Sequence, residues 1–202
     1  MAKLSLFIDQ LLKHEGGFVN HPDDPGGATN KGITFNTFQL YGEDVDDDGD
    51  IDVEDLKIIP TDLAKKIYKD RYWDVMRGDN FESQKMAEIV MDLGVNAGMK
   101  RAIRMLQFIL RKRYVADVWV DGVIGPQTIS ATNITTRKGN KLYNDYLEMR
   151  KDYYNFLAGR TEGIDANTQW FFRDTLKVGA NSRNESFING WLNRLWYFEK
   201  KK

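Results

Sequence analysis

Residue types suited to acid chemistry crowd into one stretch, His14 to Thr34 (HEGGFVNHPDDPGGATNKGIT), which holds Glu15, Asp23, Asp24 and Thr29. Leu4, Phe7, Ile8, Leu11 and Leu12 fall on one face of a helix, and Gly16-Gly17 stops that helix directly after Glu15. The acid is thereby predicted at a fixed point on a packed element. Pro22, Pro25, Gly26 and Gly27 favour tight turns that fold Asn20, Asp23, Asp24 and Thr29 back towards it. A carboxylic acid facing a carboxylate and a hydroxyl across a cleft is the equipment for glycosidic hydrolysis. A second carboxylate activates water when it sits about 6.5–9.5 Å from the acid, or attacks directly at about 5–5.5 Å. The acid must also keep its proton at neutral pH, which an apolar or carboxylate-crowded setting achieves.

Each of these residues also has a plainer reading. Glu15 at a helix C-terminus can be a solvated charge, although the helix dipole disfavours an anion there. Asp24 can close an Asx-turn ahead of Gly26, and Thr29 can serve a turn or cap a helix. His14 and His21 lack companions that would make them a base or a ligand pair. Asn96, in the loop-like VNAG, can bind a sugar N-acetyl or hydroxyl group or can pack between helices. Tyr72 and Trp73 can line a saccharide groove or belong to the core.

Helical patterns cover 4–15, 60–72 with Thr61 as N-cap, 82–95, 99–113, 126–133, 140–158 and 184–198. The main strand signal is 115–120 (VADVWV). A mainly α protein is predicted, with a join near Gly94 to Gly98 separating residues 1–94 from 95–202 in one compact body. Pro126 is expected to open its helix at the first position. Trp191 and Trp196 are expected to pack in the last helix.

Residues 44–55, DVDDDGDIDVED, form a separate motif. Asp44, Asp46 and Asp48 take loop positions one, three and five, Gly49 six, Ile51 eight and Asp55 twelve, which is EF-hand spacing for calcium. Asp50 would give its backbone carbonyl, and Asp52 would bind through water. Position twelve is Asp where EF-hands usually carry Glu, as in dockerin loops. Only one such loop is present, so the expected role of Ca²⁺ is structural: it orders a connection and contributes stability.

The stretch from Glu15 onward resembles phage-type lysozymes of glycoside hydrolase family 24. It is closer still to glycoside hydrolase family 108, through Glu15-Gly16-Gly17, Asn20, Asp24-Pro25-Gly26-Gly27-Ala28-Thr29 and Gly32-Ile33-Thr34. YKDRYWDVMRGDNF (68–81) and MDLGVNAG (91–98) extend the likeness. Leu106-Gln107 with Asp121-Gly122, Gly125 and Thr128 resembles the peptidoglycan-binding domain that accompanies that family, or else is a structural turn joining two helices. The resemblance implies a lysozyme-like helical fold of two sub-domains; residues 43–55, with the calcium loop, are the main departure from the family pattern and read as an insertion. It also implies an N-acetylmuramidase that cleaves the β-1,4 bond between N-acetylmuramic acid and N-acetylglucosamine. Glu15 is then the general acid, with Asp24 (or Asp23) and Thr29 activating water and no cofactor needed for catalysis. Asn20, Asn96, Tyr72 and Trp73 become candidate substrate contacts. The alternative is a peptidoglycan-binding or secretion-assisting protein that keeps the fold without the chemistry.

Charge balance agrees with a neutral or locally read polymer as partner: 29 Lys and Arg against 30 Asp and Glu give no field suited to nucleic acid or an anionic membrane. Without cysteine the fold is indifferent to redox compartment. Ser5, Asp9 and Gln10 interrupt the N-terminal apolar run, so it does not read as a signal peptide, and no run reaches a membrane span. The expectation is a monomeric protein made in the cytoplasm, of endolysin type, reaching the wall through a phage-type pore or dedicated export.

Overall fold

Phe7, Ile8 and Leu11, the apolar stripe predicted for the first helix, are all buried, and they seat helix α1 (Ile8–His14) behind a 3₁₀ turn at Leu4–Leu6. The computed structural model describes residues 1–20 and 27–201. Its contacts divide them into two units, Lys3–Val75 and Met76–Lys202 with Met1–Ala2.

In the first unit α1 leads to a hairpin of β1 (Thr29–Asn30) and β2 (Ile33–Thr34), with Thr29 opposite Thr34 and Asn30 opposite Ile33. Lys31 (φ 49°) and Gly32 (φ 72°) both take the left-handed conformation that a two-residue hairpin turn of primed type requires. Val19 bridges Thr29 on the other side through paired 2.8 Å backbone hydrogen bonds. Thr34 caps α2 (Phe35–Tyr41), its Oγ1 accepting the Thr37 amide at 3.3 Å. The acidic loop then runs into α3 (Val53–Ile58), whose N-terminus is closed by a reciprocal capping box of Asp52 and Asp55. In α4 (Thr61–Tyr68) the N-cap is Pro60, and Thr61 is the first helical residue, not the cap the sequence suggested. A π segment, Lys69–Trp73, continues α4, with Asp74 N–H reaching back to the Lys69 carbonyl.

The second unit is built around α5 (Gln84–Ala97), in which every residue from Met86 to Gly94 is buried. A helix buried on all sides needs neighbours on all sides. Both α6 (Met99–Tyr114) and α8 (Lys141–Leu157) pack on it, α7 (Pro126–Arg137) packs on α6 and α8, and α10 (Ile188–Glu199) packs on α8. Between them α9 (Ala166–Trp170) continues as a second π segment, Phe171–Thr175, which buries Phe171 and Phe172 completely. Pro126 does open α7. The join read near Gly94 to Gly98 lies at the last turn of α5 and its Gly98 C-cap, whereas the contacts divide the chain after Val75.

Two further expectations change. Residues 115–120 form no strand: Val115 leaves α6 in a left-handed conformation, 89% exposed, and only Val118 is buried. Trp196 is 65% exposed, with the Lys200 ammonium over its ring, because its position on α10 faces away from α8. The Leu106-Gln107 motif is a clasp. Buried Gln107 donates to Asp121 Oδ1 and the Val123 carbonyl, both at 2.9 Å, and accepts from Gly122 N–H at 2.9 Å.

The most polar spot of this core is also its most charged. Asp92, buried in α5, accepts from Arg150 at 2.5 Å and from Arg194 at 3.0 Å, and Arg150 itself is wholly buried. Burial alone would raise the Asp92 pKa, but the two guanidinium groups outweigh it and hold the carboxyl below the usual range.

Candidate active site

Glu15 is the residue at which α1 ends, with αR backbone (φ −84°, ψ −9°), and Gly16 follows at φ 77°. A left-handed glycine after the last helical residue is the usual way to turn the chain off its axis. The Glu15 side chain is half-buried, and the hairpin turn lies against it. A Cβ on Gly32 would sit 2.8 Å from Glu15 Cβ, 2.5 Å from Tyr68 Oη and closer still to Glu15 Oε2. Gly32 is therefore bare because the acid and a phenol occupy the space. Tyr68, buried on α4, donates its hydroxyl to the Lys31 carbonyl at 2.9 Å and stacks on Tyr72 with ring centroids 5.5 Å apart. Helix α1, the hairpin and α4 thus converge on one carboxyl group.

Gly32→Ala tests that arrangement. The left-handed backbone alone costs an alanine about 1–2 kcal/mol, and the added methyl must displace Glu15 or Tyr68. Lower thermal stability with a larger fall in turnover is expected; wild-type values for both would contradict the packing.

The hairpin is held from behind by α3. Asn30 Nδ2 donates to the carbonyls of Leu56 and Lys57, each at 2.9 Å, and Lys31 Nζ donates to that of Ile59 at 2.6 Å. These anchors, and Tyr68, were not singled out in the sequence. The paired aromatics of YKDRYW are the signal for Tyr68, and NKG is the turn signal for the hairpin.

The other proposed residues separate. Thr29 lies on β1, partly exposed and one residue before the anchored Asn30. Asn20 is exposed beside Val19. Asp23, Asp24 and His21 lie outside the described residues, as does the side chain of His14. Tyr72 is partly exposed beneath the Arg71 guanidinium. Trp73 is 1% exposed and is a core residue, not a groove contact, because the π segment turns it inward. Asn96, in the second unit near the end of α5, is exposed and accepts from Tyr154 Oη at 2.8 Å.

The acidic loop folds its carboxylates into two groups. Gly49, at φ 104°, donates its amide to Asp44 Oδ2 at 2.9 Å, and carboxylate oxygens of Asp44, Asp46 and Asp48 gather within 4.8 Å of one another. Asp50, Asp52 and Asp55 form a second such group. Like charge has its effect: the Asp50 carboxyl is pushed up chiefly by Asp48, and that of Asp46 by desolvation and then Asp48. Asp55 is fully buried. Its Oδ1 accepts from Val45 and Asp46 N–H and its Oδ2 from Asp52 N–H, which hold its pKa down and leave one lone pair on Oδ2. Asp44 Oδ1 is buried without a hydrogen-bond partner. An all-oxygen donor set with one orphaned buried oxygen fits a hard divalent cation.

The structure thus places Glu15 at the end of a packed helix against a glycine turn, and comparison with known proteins supplies the class. Residues 8–98 match the family model described as Glycosyl hydrolase 108, and residues 101–196 match that described as "Predicted Peptidoglycan domain". The chain thus carries a glycosyl hydrolase 108 domain followed by a predicted peptidoglycan domain. Among solved structures it is similar to Brucella abortus SagA, with 25% identity and a TM-score of 0.66 over 98% of this chain and 92% of that one. No curated protein sequence matches it. Among the described residues no helix is long and apolar enough to cross a membrane.

Proposed function

We propose that this protein is an N-acetylmuramidase, cleaving the β-1,4 bond between N-acetylmuramic acid and N-acetylglucosamine in the wall of a bacterium. The observation that carries the reading is the bare Gly32 turn against the Glu15 carboxyl, with Tyr68 beside it. Glu15 protonates the departing glycosidic oxygen, and Asp24, or Asp23, activates the attacking water with help from Thr29. A purely binding protein has no need to reserve that space beside an acid. Mass spectrometry of digested peptidoglycan tests the bond assignment: fragments ending in reducing muramic acid are expected, and fragments ending in reducing N-acetylglucosamine would overturn it.

Calcium is proposed as a structural ion, held by Asp44, Asp46, Asp48 and Asp55 with the Asp50 carbonyl. Bound calcium neutralises the clustered carboxylates, and α3, which leaves the loop, supplies the carbonyls that hold the hairpin. At a hundredfold excess over its dissociation constant it would add about 2.7 kcal/mol of stability. A higher melting temperature in calcium than in chelator is expected, abolished by Asp44→Ala. Calorimetry finding no binding at millimolar calcium would remove the ion.

A further inference from the structure

The second unit contains a cleft of about 260 Å³ between α5, α6, α8 and α10, lined by Asn96, Arg101, Tyr153, Tyr154 and Trp191. Its polar groups are fixed from inside. Arg150 donates to Tyr154 Oη through both Nε (3.0 Å) and Nη2 (2.9 Å), which uses the phenol's two lone pairs. The phenolic proton therefore goes to Asn96 Oδ1 at 2.8 Å. With its oxygen committed, the Asn96 amide offers its Nδ2 donors to whatever enters.

Arg101 supplies the second handle. Backbone carbonyls hold its guanidinium, Ala97 at 3.0 Å from Nη1 and Leu176 at 3.3 Å from Nε. Among the described residues it forms no ion pair. Behind the cleft, Arg150 and Arg194 both bond the carboxylate of Asp92, and Arg150 Nη1 is buried without a partner. The wall of the cleft is apolar: Trp191 stacks on Tyr154 (centroids 5.6 Å apart) and on Phe187 (6.1 Å). A ligand using all of this has an amide carbonyl for Asn96, C–H edges for the aromatic wall and an anion for Arg101.

Building on the peptidoglycan reading above, we propose that this cleft is a subsite for one acetamido sugar bearing a carboxylate-containing peptide, that is, a muropeptide unit. Asn96 binds the acetamido carbonyl and Arg101 a carboxylate of the stem peptide. A neutral chito-oligosaccharide meets the first requirement and not the second, so the site discriminates peptide-bearing glycan from bare glycan.

The test uses the full chain with Glu15→Gln, to prevent turnover, and follows the Asn96 side-chain amide and the Trp191 indole by NMR. The probes are a disaccharide tetrapeptide and an N-acetylglucosamine trimer. Both should shift the two signals, the muropeptide binding about tenfold more tightly, as a charge-assisted hydrogen bond warrants. Arg101→Gln should erase that preference and leave trimer binding unchanged, whereas Arg101→Lys, which keeps the cation, should retain it. Muropeptide that moves neither signal, or a preference that survives Arg101→Gln, overturns the subsite. Wild-type protein that releases reducing muramic ends while the cleft stays silent removes the subsite alone; occupied cleft without hydrolysis removes the muramidase reading alone.

Discussion

Glu15→Gln is expected to lower the release of reducing ends by about a hundredfold to ten-thousandfold, the range that general acid catalysis supplies, while leaving the melting temperature close to that of the wild type. Glutamine keeps the volume that Gly32 and Tyr68 pack against and cannot deliver a proton to the leaving oxygen. Because the shape survives, affinity for the sacculus should survive as well. Loss of turnover with binding retained separates chemistry from recognition, and a variant that still lyses cells would end the assignment of Glu15. Tyr68→Phe is the companion measurement. It removes the hydroxyl that bonds the Lys31 carbonyl and should cost less than the loss of the acid, because the hairpin remains anchored through Asn30 and Lys31 on α3.

Asp92→Asn should destabilise the second unit by about 3–5 kcal/mol, the cost of leaving a buried ion without its counter-charge. Arg150 would then be a wholly buried cation without its carboxylate, with Arg194 beside it. The pH dependence has a definite sign. The Asp92 carboxyl is held below the usual range in the folded chain, so its contribution is complete above the unfolded-state value and is lost as pH falls through the folded one. Denaturant unfolding should therefore show wild type and variant far apart near neutral pH and converging in acid. A constant gap across that range would mean that the carboxylate charge is not what matters.

The long helices were legible because their apolar positions recur at helical spacing and one face, or in α5 every face, had to be buried. The acid was legible for the same reason, since Gly16-Gly17 marks where the helix carrying it must end. The hairpin was not: two-residue strands are too short to show alternation, and only Asn30, Lys31 and Gly32 signal the turn. VADVWV misled in the opposite sense, because β-branched and aromatic residues read as a strand only if another chain lies alongside, and Val115 instead turns out of α6. In the acidic loop the turn at Gly49 was readable because the glycine and the carboxylates around it occupy fixed positions along the chain. Trp73 could be read as groove or core, and its burial makes it core; helical spacing alone could not foresee the π segment that turns it inward. Gln107, Asp121 and Thr128 were legible both as the mark of the peptidoglycan-type domain, which residues 101–196 match, and as a turn between helices, which their hydrogen bonds form.

The two π segments, Lys69–Trp73 and Phe171–Thr175, each place a residue more in the turn than an α-helix holds. Such wide turns are what a single-residue insertion leaves when a helix absorbs it without losing its downstream contacts. Removing one residue from either segment would restore the ordinary ladder and rotate the downstream residues by about 100°, swinging Trp73 in the first case, or Leu176 in the second, away from the interior it fills. For these two helices length is thus part of the message: substitutions at exposed Asp70 or Arg173 are tolerable, whereas a deletion there shifts the helix out of frame.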